Sequence, residues 1–154
     1  MKLDIAGSEH IPGATEALWR ALNDPAVLRR CIPGCQNMEE TSPDAYKIEM
    51  QLKVGAVSGS FQGEIALADK EPPKSCTISV SGAGSLGHGT GTARFTVEPD
   101  GAMSRLVYQG TGEIGGLVAG VGQRILKSAS KYLIGRFFVA LRQELENPIR
   151  TTAA

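Results

Sequence analysis

Three short patterns in this chain carry residue types that could do chemistry. Gly82-Ala83-Gly84-Ser85-Leu86-Gly87 has the spacing G-x-G-x-x-G. In a dinucleotide site such glycines turn the chain into a helix whose N-terminus meets the pyrophosphate. Here His88-Gly89-Thr90-Gly91 and a strand-like alternation follow instead of a helix, so the run reads as a hairpin or bulge. Cys31-Ile32-Pro33-Gly34-Cys35 is a C-x-x-x-C pair. Zinc takes four ligands, and Cys76 alone does not complete a site. The pair reads as two small apolar residues flanking a turn, with a redox couple as the alternative. His10 and His88 are the only histidines. A triad needs a nucleophile and an orienting carboxylate, and no G-x-S-x-G elbow occurs. An enzymatic reading would need His10, His88, Glu64 or Glu113 inside a cavity.

The elements that must position these residues follow from periodicity. Leu3, Ile5 and Ile11 alternate with polar neighbours over 2–11, a first strand ended by Pro12-Gly13. Thr15 is placed to cap a short helix carrying Leu18, Ala21 and Leu22, and a second helix starts at Pro25. The period then changes to two. Tyr46, Ile48, Met50, Leu52 and Val54 alternate with Lys47, Glu49, Gln51 and Lys53. Further strands follow around Phe61–Leu67, Cys76–Val80, 90–98 and Leu106–Gly112, with Pro99-Asp100-Gly101 as a hairpin turn. From Leu117 to Leu145 there is no proline. Val118, Ile125, Leu126, Ala129, Leu133, Phe137, Ala140 and Leu141 recur at three- and four-residue steps. That pattern predicts one amphipathic helix of about 28 residues, roughly 42 Å long. Gly115, Gly116, Gly120 and Gly122 at its start are costly inside a helix, which points to a segment that gates or lines a pocket. Arg124, Lys127, Lys131, Arg136 and Arg142 make the helix basic. Such a face is solvated, or meets an acidic partner or anionic lipid headgroups.

Composition narrows the class. Lys+Arg and Asp+Glu are both 16, so no basic excess points to nucleic acid as a partner. No apolar h-region and no membrane-spanning run is present, and three cysteines suggest reduced thiols, so a cytoplasmic protein is expected. Glycine, at 19 residues, is over-represented against four Phe, three Tyr and one Trp. Strands rich in glycine leave room on one face. The fold expected is α+β: a curved antiparallel sheet of about seven strands wrapped on the long C-terminal helix, with two short helices after the first strand. One domain covers 1–146, and 147–154 reads as a disordered tail.

Several runs resemble the G-subunit family of carbon monoxide dehydrogenase. They are Asn23-Asp24-Pro25, Cys31-Ile32-Pro33-Gly34-Cys35, Lys53-Val54-Gly55, Phe61-Gln62-Gly63 and Gly115-Gly116 through Gly122-Gln123-Arg124. The resemblance extends over residues 1 to 145 and implies the helix-grip fold of the START/Bet v 1-like, or SRPBCC, superfamily. It also implies a non-catalytic accessory role beside a molybdenum hydroxylase-type dehydrogenase. Membrane recruitment or electron delivery, an isoprenoid quinone as ligand, and a peripheral contact at the inner face of the cell membrane go with it. Longer members carry a C-terminal extension, whereas this sequence stops at Ala154. Other members of the superfamily are polyketide cyclases or hydrolases, and an assembly factor acting by protein contacts alone is a further alternative.

An apolar cavity would then hold a lipophilic small molecule by buried area, at about 25 cal/mol per Å². The residues expected to line it are Met50, Leu52, Phe61, Phe95 and Tyr108 from the sheet, with Leu117, Val121, Ile125 and Phe137 from the helix. Tyr108 could donate a hydrogen bond to a quinone oxygen. No covalently bound cofactor and no metal are expected.

Overall fold

A computed structural model describes residues 1–146. The alternation at the start forms β1 (Lys2–Pro12). Next, α1 (Thr15–Leu22) buries Leu18, Ala21 and Leu22. Thr15 does not cap it: Ala14 holds that position and Thr15 is the first helical residue. α2 (Pro25–Cys31) is capped by Asp24, whose carboxylate accepts from the Ala26 N–H at 2.9 Å. Pro25 stands at the start, where its missing N–H costs nothing.

Seven strands form one antiparallel sheet in the order β1-β7-β6-β5-β4-β3-β2. They are β2 (Cys35–Ser42), β3 (Ala45–Leu52), β4 (Gly59–Glu71), β5 (Ser75–Gly84), β6 (Gly87–Asp100) and β7 (Met103–Gly115) with β1. From β2 to β7 this is a meander of neighbours, and β1 closes on β7. β2 has no counterpart among the strands read from the sequence. It is an edge strand, mostly exposed, so the polar run 36–42 carries no alternation. The G-x-G-x-x-G run is a hairpin: Gly84 pairs with Gly87 around Ser85-Leu86. A nucleotide-binding helix is absent from that place.

The C-terminal helix is shorter than its periodicity suggests. Leu117–Val121 is a 3-10 turn, and α3 runs from Gln123–Glu146, 24 residues. Gly122, at φ 96°, separates the two, a backbone setting that glycine adopts at least cost. The helix therefore starts six residues later than Leu117 and in a new direction. α3 lies beside β1: the Gln123 side chain donates to the Lys2 carbonyl at 2.9 Å, and Arg142 reaches the His10 carbonyl and the Glu9 carboxylate.

The main core joins α1, α2, the sheet and the later turns of α3, with Ile11, Leu18, Cys31 and Leu141 among its most buried residues. Glu144 is 4% exposed and is held by Arg30 through two hydrogen bonds of 2.6 and 3.1 Å. This pair ties the end of α3 to α2. No helix among the described residues is long and apolar enough to cross a membrane. The tail expected at 147–154 lies outside the described residues.

Candidate functional site

The sheet register explains why room is left between sheet and helix. Across the concave face, Gly63 pairs with Gly82 and Gly82 with Gly89. Gly91 pairs with Gly112 and Ala93 with Gly110. These positions face α3 and each carries at most one methyl; at Gly63 and Gly110 an added Cβ would run into the Ser81 carbonyl and the Ala93 Cβ. The helix does not close onto these positions, and a cavity of about 650 Å³ remains. Larger side chains ring this floor: Ile48, Met50, Phe61 and Ile65 on one side, Phe95, Tyr108, Leu3 and Ile5 on the other. Leu126, Ala129, Leu133, Ile134, Phe137 and Phe138 form the roof from α3.

No Asp, Glu, Lys or Arg of the described residues stands on this wall. The chemistry available is apolar contact plus a few hydroxyls, the Gln62 amide and the His88 imidazole. Ser130 spends its hydroxyl on the Leu126 carbonyl one turn back, at 2.8 Å. Tyr108 is different. Its ring stacks on Phe138 with centroids 5.5 Å apart, and its hydroxyl lies against Gly7, where an added Cβ would come within 2.6 Å. Burial, with a smaller push from Glu9, raises the Tyr108 pKa above the ordinary phenol value. The phenol is therefore a neutral donor, suited to a carbonyl or other acceptor on a bound molecule.

Of the residues expected to line the cavity, Met50, Leu52, Phe61, Phe95, Tyr108 and Phe137 stand on its wall. Leu117, Val121 and Ile125 do not. Leu117 is 77% exposed and Ile125 49% exposed, both on the outside. Their outward direction follows from the break at Gly122, which shifts the start of the helical period and leaves Leu126, not Ile125, facing in. Val121 packs in a satellite cluster with Leu3, Val118, Leu126, Val57, Leu86 and Ile114. That cluster draws together the 3-10 turns Gly55–Val57 and Leu117–Val121 and the β5–β6 hairpin. Ile134 and Phe138 join the wall without having been expected there. Counting the period from Leu126 places both on the inner face.

The other chemical candidates lie apart from one another. His10 is exposed and paired with Asp100 at 2.9 Å on the hairpin ends. Glu64 and Glu113 are exposed and off the cavity wall. His88 reaches the wall at its exposed end, with its ring against Gly115 and no ion pair among the described residues. All three cysteines are free thiols. Burial pushes the Cys31 thiol up to about 11 and raises Cys35 and Cys76 as well, so none is set up as a nucleophilic thiolate near neutrality.

A family model for the G subunit of carbon monoxide dehydrogenase (CoxG) matches residues 7–146. The chain belongs to that family. A conserved protein from Geobacillus kaustophilus is 33% identical over 94% of this chain and 95% of its own, with a TM-score of 0.91. More distant structures share the fold alone. A START superfamily protein from Mycobacterium smegmatis is 13% identical, with a TM-score of 0.71 over 93% of this chain and 97% of its own. The Zhui aromatase/cyclase from a Streptomyces species is 12% identical, with a TM-score of 0.72 over 100% of this chain and 99% of its own. No curated protein matches. This CoxG family member thus has the START-type helix-grip fold.

Proposed function

We propose that this CoxG family member is a non-catalytic carrier of a lipophilic molecule that serves a molybdenum hydroxylase-type dehydrogenase. The observation that carries the reading is a cavity of about 650 Å³ whose wall holds no Asp, Glu, Lys or Arg and has a neutral phenol at its border. Such a site binds by apolar burial and orients through one donor. An isoprenoid quinone fits both requirements, its chain along the glycine floor and a ring oxygen at Tyr108. With no carboxylate on the wall, acid–base chemistry of the cyclase or hydrolase kind has no acidic partner there.

The outer side of the C-terminal segment supports peripheral contact with an anionic membrane. Leu117, Ile125, Tyr132 and Val139 are exposed apolar residues, the last three at heptad spacing. Between 117 and 143 there are five basic residues and no acidic one. Apolar side chains beside cations suit the headgroup boundary. Contact there would bring the carrier to a quinone pool and its dehydrogenase to the membrane.

Trp19, the chain's one tryptophan, reports on the cavity through Phe95. Its ring lies 6.1 Å from that of Phe95, which stands on the wall. Titration with a water-dispersible ubiquinone or menaquinone analogue is expected to quench Trp19 fluorescence saturably, one molecule per chain. Quenching that rises linearly, with no saturation, would contradict the quinone assignment.

A further inference from the structure

A second hollow, about 730 Å³, spans β1, β7, β6 and β5 at Asp4, Thr111, Arg94 and Thr77 and meets α3 at Lys127, Lys131 and Ile134. β1 is the end strand of the sheet, so nothing pairs with its far side. This hollow shares Ile5, Tyr108 and Ile134, and on the central strands Thr92, Ala93, Gly110 and Thr111, with the apolar cavity, so the two are neighbours across those residues. Their walls differ in kind. The apolar cavity has no Asp, Glu, Lys or Arg, whereas the second hollow has Lys2, Lys127, Lys131 and Arg94 against the single carboxylate of Asp4. Arg94 is already engaged, bonded to Thr77, Ser75 and Glu71 at 2.9, 2.8 and 3.2 Å. Lys2, Lys127 and Lys131 make no ion pair among the described residues. Lys127 and Lys131 are one turn apart on α3, so they stand on the same face.

We infer that the crevice between β1 and α3 is a headgroup subsite for an anion borne on the apolar ligand, a carboxylate or a phosphate on a long chain. The inference rests on the carrier reading above, with an anionic amphiphile in place of the quinone as occupant. An amphiphile would lay its chain over the glycine floor and pass its head beside Ile134 and the Tyr108 hydroxyl. That places the head between Lys127 and Lys131 on one side and Lys2 on the other. The phenol donates to the head and the ammonium groups supply its counter-charge. Gly7 gives the Tyr108 ring and hydroxyl their place at this edge, since any side chain there would run into them. The cations are exposed, so the preference is moderate and salt-sensitive.

The test is competition against Nile red, a neutral probe of the apolar cavity. Oleic acid and oleyl alcohol have the same chain and differ at the head, and lysophosphatidic acid supplies a phosphate head. Acetate and inorganic phosphate control for a free anion. Oleic acid and lysophosphatidic acid are expected to displace the probe about fivefold to tenfold more tightly than the alcohol at low salt. The Lys127→Gln/Lys131→Gln protein should lose most of that gap while binding the alcohol as before. Acetate and phosphate should displace nothing, which would locate the recognised anion on the chain. Equal displacement by acid and alcohol in the unaltered protein overturns the subsite and leaves the carrier reading standing. A protein that takes up neither Nile red nor any of the three amphiphiles overturns both.

Discussion

Replacing Ala93 by Phe is expected to weaken uptake of a lipophilic ligand by at least about tenfold, or ~1.4 kcal/mol, while the protein remains folded. Ala93 stands on the cavity floor between Gly91 and Phe95 in β6, opposite Gly110 of β7. Its side chain already points into the space, so an aromatic ring there fills volume that a ligand would use. Phe is at home in a strand, and its added apolar area is buried, so the fold should tolerate it. Ile125→Trp is the matched control. Ile125 lies on the outside of α3, and a larger residue there should leave affinity unchanged. Quinone titrations read through Trp19 suit the first variant; displacement of Nile red suits both, because the control adds a second indole. Full affinity in a folded Ala93→Phe protein would remove the floor from the site.

The second large effect is on stability at high pH. Cys31 is 2% exposed, and burial, reinforced by Glu144 and opposed by Arg30, pushes its thiol from 9.0 up to about 11. In the unfolded chain the thiol ionises at the lower value. Folding is therefore favoured fully below pH 9 with respect to this group, and that contribution is lost as pH rises from 9 toward 11. At about 1.4 kcal/mol per unit, the loss approaches ~2–3 kcal/mol at the top of the window. Cys35 and Cys76 are raised as well, so the comparison must be with Cys31→Ala. Urea unfolding at pH 8 and pH 10.5 should show a smaller fall for the variant than for the unaltered chain. Identical falls would mean that the buried Cys31 thiol does not control this pH dependence.

Much of the fold is legible in the sequence because its signals are local. Alternation at Tyr46–Leu52 marks a strand with one buried face, and Pro25 after Asp24 marks a helix start. The G-x-G-x-x-G run is separable from a nucleotide loop by the alternation that follows it. β2 is not legible, because an edge strand with few buried side chains has no period to read. The start of α3 is hidden because apolar residues on both sides of Gly122 continue a helical spacing that the backbone does not. That one break accounts for Leu117, Val121 and Ile125 among the expected lining residues. On the sheet, where pairing preserves the two-residue period, Met50, Leu52, Phe61, Phe95 and Tyr108 fall on the wall. The glycine count points to spare room. Only the register shows that Gly63, Gly82, Gly89, Gly91, Gly110 and Gly112 lie side by side, since they come from four strands.

The cavity between sheet and helix is expected to hold a lipophilic molecule. Native mass spectrometry of the protein purified without detergent from its own host tests it most directly, with solvent extraction to identify what co-purifies. One non-covalent apolar or amphiphilic molecule per chain is expected, displaced in the Ala93→Phe protein. A chain that arrives empty and stays empty when offered quinones and long-chain amphiphiles would contradict it.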